Sequence, residues 1–147
     1  MIERVRLKDK ILAIIIRSSY SKEGIEFFTP EEFSQQLAYM KRSKNYVINP
    51  HIHNYTSRNV SLTQEVLFIK KGKVRVDFYD DDRTYLESRV LFSGDVILLA
   101  NSGHGFIMLE ESEIMEVKQG PYMKDKDKVK FKAVDSDHVI MKGKADE

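Results

Sequence analysis

The chain has no cysteine among its 147 residues. That absence excludes a disulfide scaffold, a zinc ribbon, an iron–sulfur cluster and a thiol nucleophile. An excess of charge of one sign is also missing: 24 Lys+Arg face 23 Asp+Glu, a formal net charge of +1. Near-neutrality removes the main electrostatic argument for a nucleic-acid or membrane-surface partner, so neither is expected. Long hydrophobic runs are lacking too. The longest, Ile11 to Ile16, is far shorter than the ~20 residues a membrane span needs. Arg17 closes that run, and no small-residue cleavage site of a signal peptide follows. What is present is 41% hydrophobic residues with 10% aromatics, enough for a packed core and too much for a disordered chain. The expectation is one cytoplasmic domain over residues 1–147.

The apolar pattern is that of strands. Ile11 to Ile16 is short and β-branched, as in a strand buried on both faces. Gly24 to Phe28 reads as another short strand. Thr29-Pro30-Glu31-Glu32 has the form of a helix start, with Thr29 as N-cap and Glu32 completing a capping box. From Tyr46 onward β patterning takes over: Tyr46 to Asn49, His51 to His53, Glu65 to Lys71 and Lys73 to Tyr79. Arg89 to Phe92, Val96 to Ala100, His104 to Leu109 and Ile114 to Gln119 follow. Turn signals stand between them at Lys71-Gly72, Asp80-Asp81-Asp82, Ser93-Gly94-Asp95 and Asn101-Ser102-Gly103, and Gly120-Pro121 closes the series. Short strands at such regular spacing indicate an all-β sandwich or barrel. Met123 to Lys132 alternates Lys and Asp, reading as a solvated extension with one further edge strand at its end.

The residues that carry chemistry are histidines. On a strand, His51 and His53 project from the same face, because side chains two apart share a side of the sheet. Two imidazoles held that way can chelate one metal ion, with a carboxylate and a third imidazole completing the shell. Glu65 opens the next strong strand and His104 opens a later one. The plainer reading of all four is surface or hydrogen-bonded polar residues.

Their spacing resembles the two motifs of the cupin superfamily. Asn45 stands where the first motif has its opening glycine, with five residues between it and His51, and Asn tolerates the left-handed backbone of that turn. His51 and His53 fit the His-x-His, and Glu65 to Gly72 fits the Glu-to-Gly spacing. Eleven residues separate His53 from Glu65, more than the family usually has, so residues 54–63 read as an inserted loop. Gly94-Asp95 and Ser102-Gly103-His104 resemble the second motif, with Ala100 in place of its proline, His104 one residue early and Met108 in place of its final Asn. The stretch Glu116 to Tyr122 looks like the strand-to-tail exit of small bacterial cupins associated with surface-polysaccharide metabolism.

The resemblance implies a small antiparallel β-barrel or jelly roll, with its core at about residues 24–122 and a charged extension over 123–147. It turns Gln36 to Lys41 into a strand and leaves a short helical turn at Pro30 to Phe33. It also implies one divalent transition ion (Mn, Fe, Ni or Zn) on His51, His53, Glu65 and His104. Tyr55 and Arg58 of the inserted loop would contact a small polar or sugar-derived substrate, or else be merely solvated. Which reaction follows stays open, since cupins host isomerases, oxygenases and plain binding proteins. A ligand-sensing role and a metal-free sugar-nucleotide isomerase or epimerase, with His51 or His53 as base, are the alternatives. A homodimer is expected because the apolar Ile11 to Ile16 strand calls for a partner sheet. His138 reads as solvated, and the Asp80 to Asp82 run as a hairpin turn before a calcium site.

Overall fold

A computed structural model describes residues 1–143; residues 144–147, the end of the expected extension, lie outside it. Ten strands follow one another among the described residues: β1 Ile2–Leu7, β2 Lys10–Ile16, β3 Gly24–Phe27, β4 Ala38–Lys41, β5 Glu65–Lys71, β6 Lys73–Tyr79, β7 Tyr85–Phe92, β8 Val96–Leu99, β9 Gly103–Met108 and β10 Glu113–Lys118. Short 3-10 turns at Lys124–Lys126 and Ser136–His138 are the helical elements. Among the described residues no helix is long and apolar enough to cross a membrane. The chain groups into two compact units: Met1–Tyr20 with everything from Thr63 onward, and Ser21–Leu62 between them.

The larger unit holds two antiparallel sheets, ordered β1-β2-β8-β5-β10 and β7-β6-β9. Alternation along β6 sends Val74, Val76 and Phe78 into the core, where they meet Leu67 and Ile69 of β5, Leu91 of β7 and Ile97 and Leu99 of β8. Each such side chain, fully removed from water, stabilises the fold by roughly 1.5–3 kcal/mol. β2 has β1 on one side and β8 on the other, which explains its uninterrupted apolar run. Leu12 to Ile16 are buried within the single chain. The apolar strand therefore needs no partner sheet, and the reason first given for a dimer does not hold. Sequence reading missed β1, whose register shifts at a bulge between Val5 and Arg6. The bulge breaks the period-two signal.

Two glycine turns set the sandwich. Gly72, at φ 88°, carries the chain from β5 in one sheet to β6 in the other, and Gly94 takes the same backbone conformation before β8. Asp95, beside Gly94, is buried and accepts from the backbone N–H of Ser18 (2.8 Å) and Phe92 (3.0 Å) and from Arg17 Nη1 (2.8 Å). Arg17 also donates to Glu3 Oε1 (2.7 Å) and the Val90 carbonyl (2.7 Å), so this buried charge has its partners.

The C-terminal extension is built into this unit. Val134 N–H donates to the Tyr79 hydroxyl (3.0 Å) and Ile140 N–H to the Tyr85 hydroxyl (2.8 Å). Ser88 of β7 donates its N–H to the Ile140 carbonyl, and its own carbonyl accepts from Lys142 N–H, making a parallel bridge to Met141. The edge pairing expected near Val129 to Lys132 thus occurs at Met141. Phe131 instead packs its ring on Tyr79 at 5.0 Å between centroids.

In the smaller unit, β3 pairs antiparallel with β4, Gly24 facing Lys41 and Phe27 facing Ala38. The expected helical turn reduces to one bond, Phe33 N–H to the Pro30 carbonyl (3.1 Å). Thr29 does not cap it: its hydroxyl donates to Gln36 Oε1 (2.8 Å) and accepts from Leu37 N–H (3.2 Å), fixing the hairpin connection instead. Asn45 takes φ 69°, the left-handed turn its motif position requires. Residues 46–53, expected as strand, lie outside any strand. Pro50, which has no N–H, interrupts the ladder donors there.

Candidate functional site

Glu65 and His104 stand on different sheets and face the same interior. Glu65 precedes the core residues Leu67 and Ile69 at period two and sits opposite core Leu99. His104 pairs with core Phe78, and Phe106, two residues on, packs against the same core. The two side chains meet: His104 Nε2 lies 3.3 Å from Glu65 Oε2, both mostly shielded from water. Strand register alone brings them together across 39 residues of sequence.

Lys118 joins them from β10. It pairs directly with Glu65, placing its Nζ 3.9 Å from Glu65 Oε1 and 3.1 Å from Glu116 Oε1. The hydrogen bond from His104 holds the Glu65 carboxyl below the usual carboxylate range; partial burial opposes this, while the positive charges of His104, Lys118 and Lys128 reinforce it. Lys118 is in turn pushed up by its hydrogen bond and charge pairing with Glu116. The Tyr122 ring lies 5.9 Å from Lys118 Nζ. Glu116, Lys118, Gln119 and Tyr122 belong to the stretch whose sequence reads as a strand-to-tail exit, a pattern that does not fix their facing. The facing depends on β10 register, which shifts at a bulge between Glu113 and Ile114.

His51 and His53 also come together, in the smaller unit. Their rings meet edge to face, with centroids 5.3 Å apart at an interplanar angle of 79°. His51 Nδ1 is 2.9 Å from the Asn49 carbonyl. A carbonyl oxygen only accepts, so Nδ1 is the donor of this bond and Nε2 is the ring nitrogen left to face a ligand. Among the described residues no three His, Asp or Glu side chains gather as a metal-holding group. The expected ligand set is therefore present as two pairs.

Tyr55 is fully exposed. Arg58 lines an open cleft of about 720 Å³ with Glu31, Glu32, Phe33, Gln36 and Asn59, all within the smaller unit. His138 ends the Ser136–His138 turn, its N–H donating to the Asp135 carbonyl. Asp80 closes its hairpin by accepting from the N–H of Asp82 (2.9 Å) and Thr84 (2.8 Å).

A second polar cluster escaped sequence reading. On the outer side of β6, Asp77 is buried, receiving Arg75 Nε (2.8 Å) and Nη2 (3.0 Å) together with the Ser88 hydroxyl. Tyr85 bonds Ser88 Oγ at 2.8 Å and also holds Ile140. The alternation of Lys73, Arg75 and Asp77 is that of a solvated face, yet Asp77 is buried, and the C-terminal extension bonds the neighbouring Tyr79, Tyr85 and Ser88. Comparison of this chain with protein-family models, with curated proteins and with solved structures finds no match.

Proposed function

We propose that this protein binds one divalent transition ion through His51, His53, Glu65 and His104, and uses that site to hold a small polar or sugar-derived molecule. The observation that carries this reading is the inward meeting of Glu65 and His104 from two sheets. A partly buried carboxylate kept ionised beside an imidazole is half of a mixed N/O metal shell, and the His51–His53 ring pair supplies the other half. Two antiparallel sheets that share one apolar core support the cupin reading of the motifs.

Within such a site each residue has a task. The imidazoles must be neutral to ligate, and Glu65 brings the negative charge that offsets part of the ion's own. Lys118 stands where it attracts an anionic group of the bound molecule, and Phe106 walls the interior beside His104. A bound divalent ion supplies Lewis acidity toward a carbonyl or hydroxyl oxygen. Elemental analysis after reconstitution with manganese, iron, nickel or zinc tests the proposal. About one equivalent per chain is expected, and metal at background for all four would overturn it.

One observation favours a metal-free reading: the histidine–carboxylate pair of His104 and Glu65 is by itself a proton-moving dyad, with Lys118 beside it for an anionic substrate. Under that reading His104, rather than His51 or His53, is the base of an isomerase or epimerase, and the protein works without added metal.

A further inference from the structure

Over residues 33–64 the chain has no Asp or Glu, against four cations: Lys41, Arg42, Lys44 and Arg58. The rest of the chain carries 20 Lys+Arg and 23 Asp+Glu, so the near-neutral net charge averages over two parts of opposite sign. The cationic part is also bare. Every residue from Met40 to Leu62 is exposed, and residues 42–62 contain neither strand nor helix. Apolar side chains therefore stand in water: Tyr46 is 54% exposed, Val47 72%, Ile48 55%, Ile52 90% and Tyr55 100%. Water penalises that arrangement, and exposed apolar clusters of this kind mark surfaces that meet a partner.

The charges fix the sign of that partner. Lys41 is held by Glu23 at 2.7 Å. Arg42 instead lies over the Tyr46 ring, 4.6 Å from its centroid, and Arg58 donates to the Thr56 carbonyl at 3.5 Å. Among the described residues, Arg42, Lys44 and Arg58 have no carboxylate at ion-pair distance, so they are free for an anionic surface. The apolar positions fix its form. Neighbours in extended backbone point to opposite sides, yet Val47 and Ile48 are both exposed. A rigid groove or a sheet edge buries one such facing, whereas a fluid apolar boundary accepts both. A nucleic acid has the right charge, but the aliphatic Val47, Ile48 and Ile52 offer its bases no ring to stack on. The exposed strip Phe68, Met115 and Val117 of the larger unit differs in charge, since its strand β10 carries Glu113 and Glu116.

We propose that residues 40–62 form an arm that adsorbs to an anionic lipid surface. Arg42, Lys44 and Arg58 meet the headgroups, while Val47, Ile48 and Ile52 dip between them. The backbone of the arm makes no strand ladder, so its N–H and C=O groups stay in the hydrated headgroup layer and do not enter hydrocarbon. All of these residues belong to the Ser21–Leu62 unit. Adsorption needs no metal and involves neither Glu65 nor His104.

The chain has no tryptophan, so a single inserted one reports its own surroundings. Val47→Trp protein is mixed with vesicles of phosphatidylcholine containing phosphatidylserine, and with vesicles of phosphatidylcholine alone. Co-sedimentation with the anionic vesicles and a blue-shifted emission are expected, both weakening as salt is added. Met115→Trp, placed on the acidic strip, should bind equally and show no shift. Arg42→Gln/Lys44→Gln is expected to weaken binding roughly 25-fold, at about fivefold per cation near an anionic surface. Val47→Ser/Ile48→Ser keeps every charge and should also bind more weakly, with the melting temperature unchanged because both positions are exposed. No co-sedimentation with the anionic vesicles, or undiminished binding by Arg42→Gln/Lys44→Gln, would overturn the adsorption. Binding with unshifted Val47→Trp emission would overturn the insertion. A blue shift that appears without vesicles and grows with protein concentration would mean that a second copy covers the arm, against the lipid assignment. Tighter binding to a single-stranded oligonucleotide than to the vesicles would equally count against it.

Discussion

Gly72→Val tests how the sandwich is held at the point where β5 hands over to β6. Glycine there has φ 88°, and a side chain in left-handed backbone costs roughly 1–2 kcal/mol, more when β-branched. Space compounds the strain. A Cβ at Gly72 would collide with the Glu111 carbonyl oxygen and the Ser112 hydroxyl, and would stand 2.8 Å from Ser112 Cα. Two of these three atoms are backbone, so relief requires the β9–β10 connection to move, at about 1–3 kcal/mol for overpacking. The sum is roughly 2–5 kcal/mol, a large share of a typical net stability of about 5–15 kcal/mol. For a chain of this size it lowers the melting temperature by about 5–20 °C. Thermal unfolding followed by circular dichroism reads the shift directly. Gly72→Ala, which keeps the collision but not the branch, should fall between wild type and Gly72→Val. A Gly72→Val protein melting within 2 °C of wild type, on the order of a tenth of the expected range, would refute both the strain and the collision.

Glu65→Gln keeps shape and hydrogen-bonding capacity but removes a ligand charge, so the fold should survive with a near-unchanged melting curve while metal binding weakens at least about tenfold by titration; wild-type affinity would make Glu65 structural. Metal retention should fall as pH drops below about 6.5, where imidazoles protonate, and a flat profile from mildly acidic to neutral pH would exclude histidine ligands. For the metal-free protein the Glu65 carboxyl is lowered by folding, so its contribution to stability is complete above the ordinary carboxylate value and is lost as pH falls through the depressed one. Acid unfolding of Glu65→Gln should accordingly be less steep in that window. Tyr85→Phe removes the hydroxyl that holds Ile140 and Ser88, and should cost about 0.5–1.5 kcal/mol. The loss should show as faster amide exchange at residues 138–142, and unchanged exchange would mean that the extension is held by its backbone bridge alone.

Strands with a continuous or strictly alternating apolar pattern were legible in the sequence: β2 because both its sides are filled, β6 because its neighbours β7 and β9 leave one face to the core. Gly72 and Asn45 were legible because the turns they occupy need left-handed backbone, which few residues accept. β1 was hidden by its bulge, and β7 was read four residues short because Tyr85 to Ser88 includes Glu87, held by Arg89 and Lys142 rather than by solvent. Of the site, the inward meeting of Glu65 and His104 follows from motif spacing, whereas the approach of Lys118 does not, since a bulge resets the register of β10. Asp77 was illegible for a different reason. It is buried with Arg75 and Ser88 as partners, on a strand face whose alternation of charged residues reads as solvated.

X-ray absorption spectroscopy at the metal edge of zinc-loaded protein tests the proposed metal shell directly. The expected first shell is three imidazole nitrogens at about 2.0–2.1 Å and one carboxylate oxygen at about 2.0–2.2 Å, with the imidazole outer-shell signal falling to one ring in His51→Ala/His53→Ala. A first shell of water and carboxylate oxygens without imidazole scattering, or a spectrum untouched by that double substitution, would contradict it.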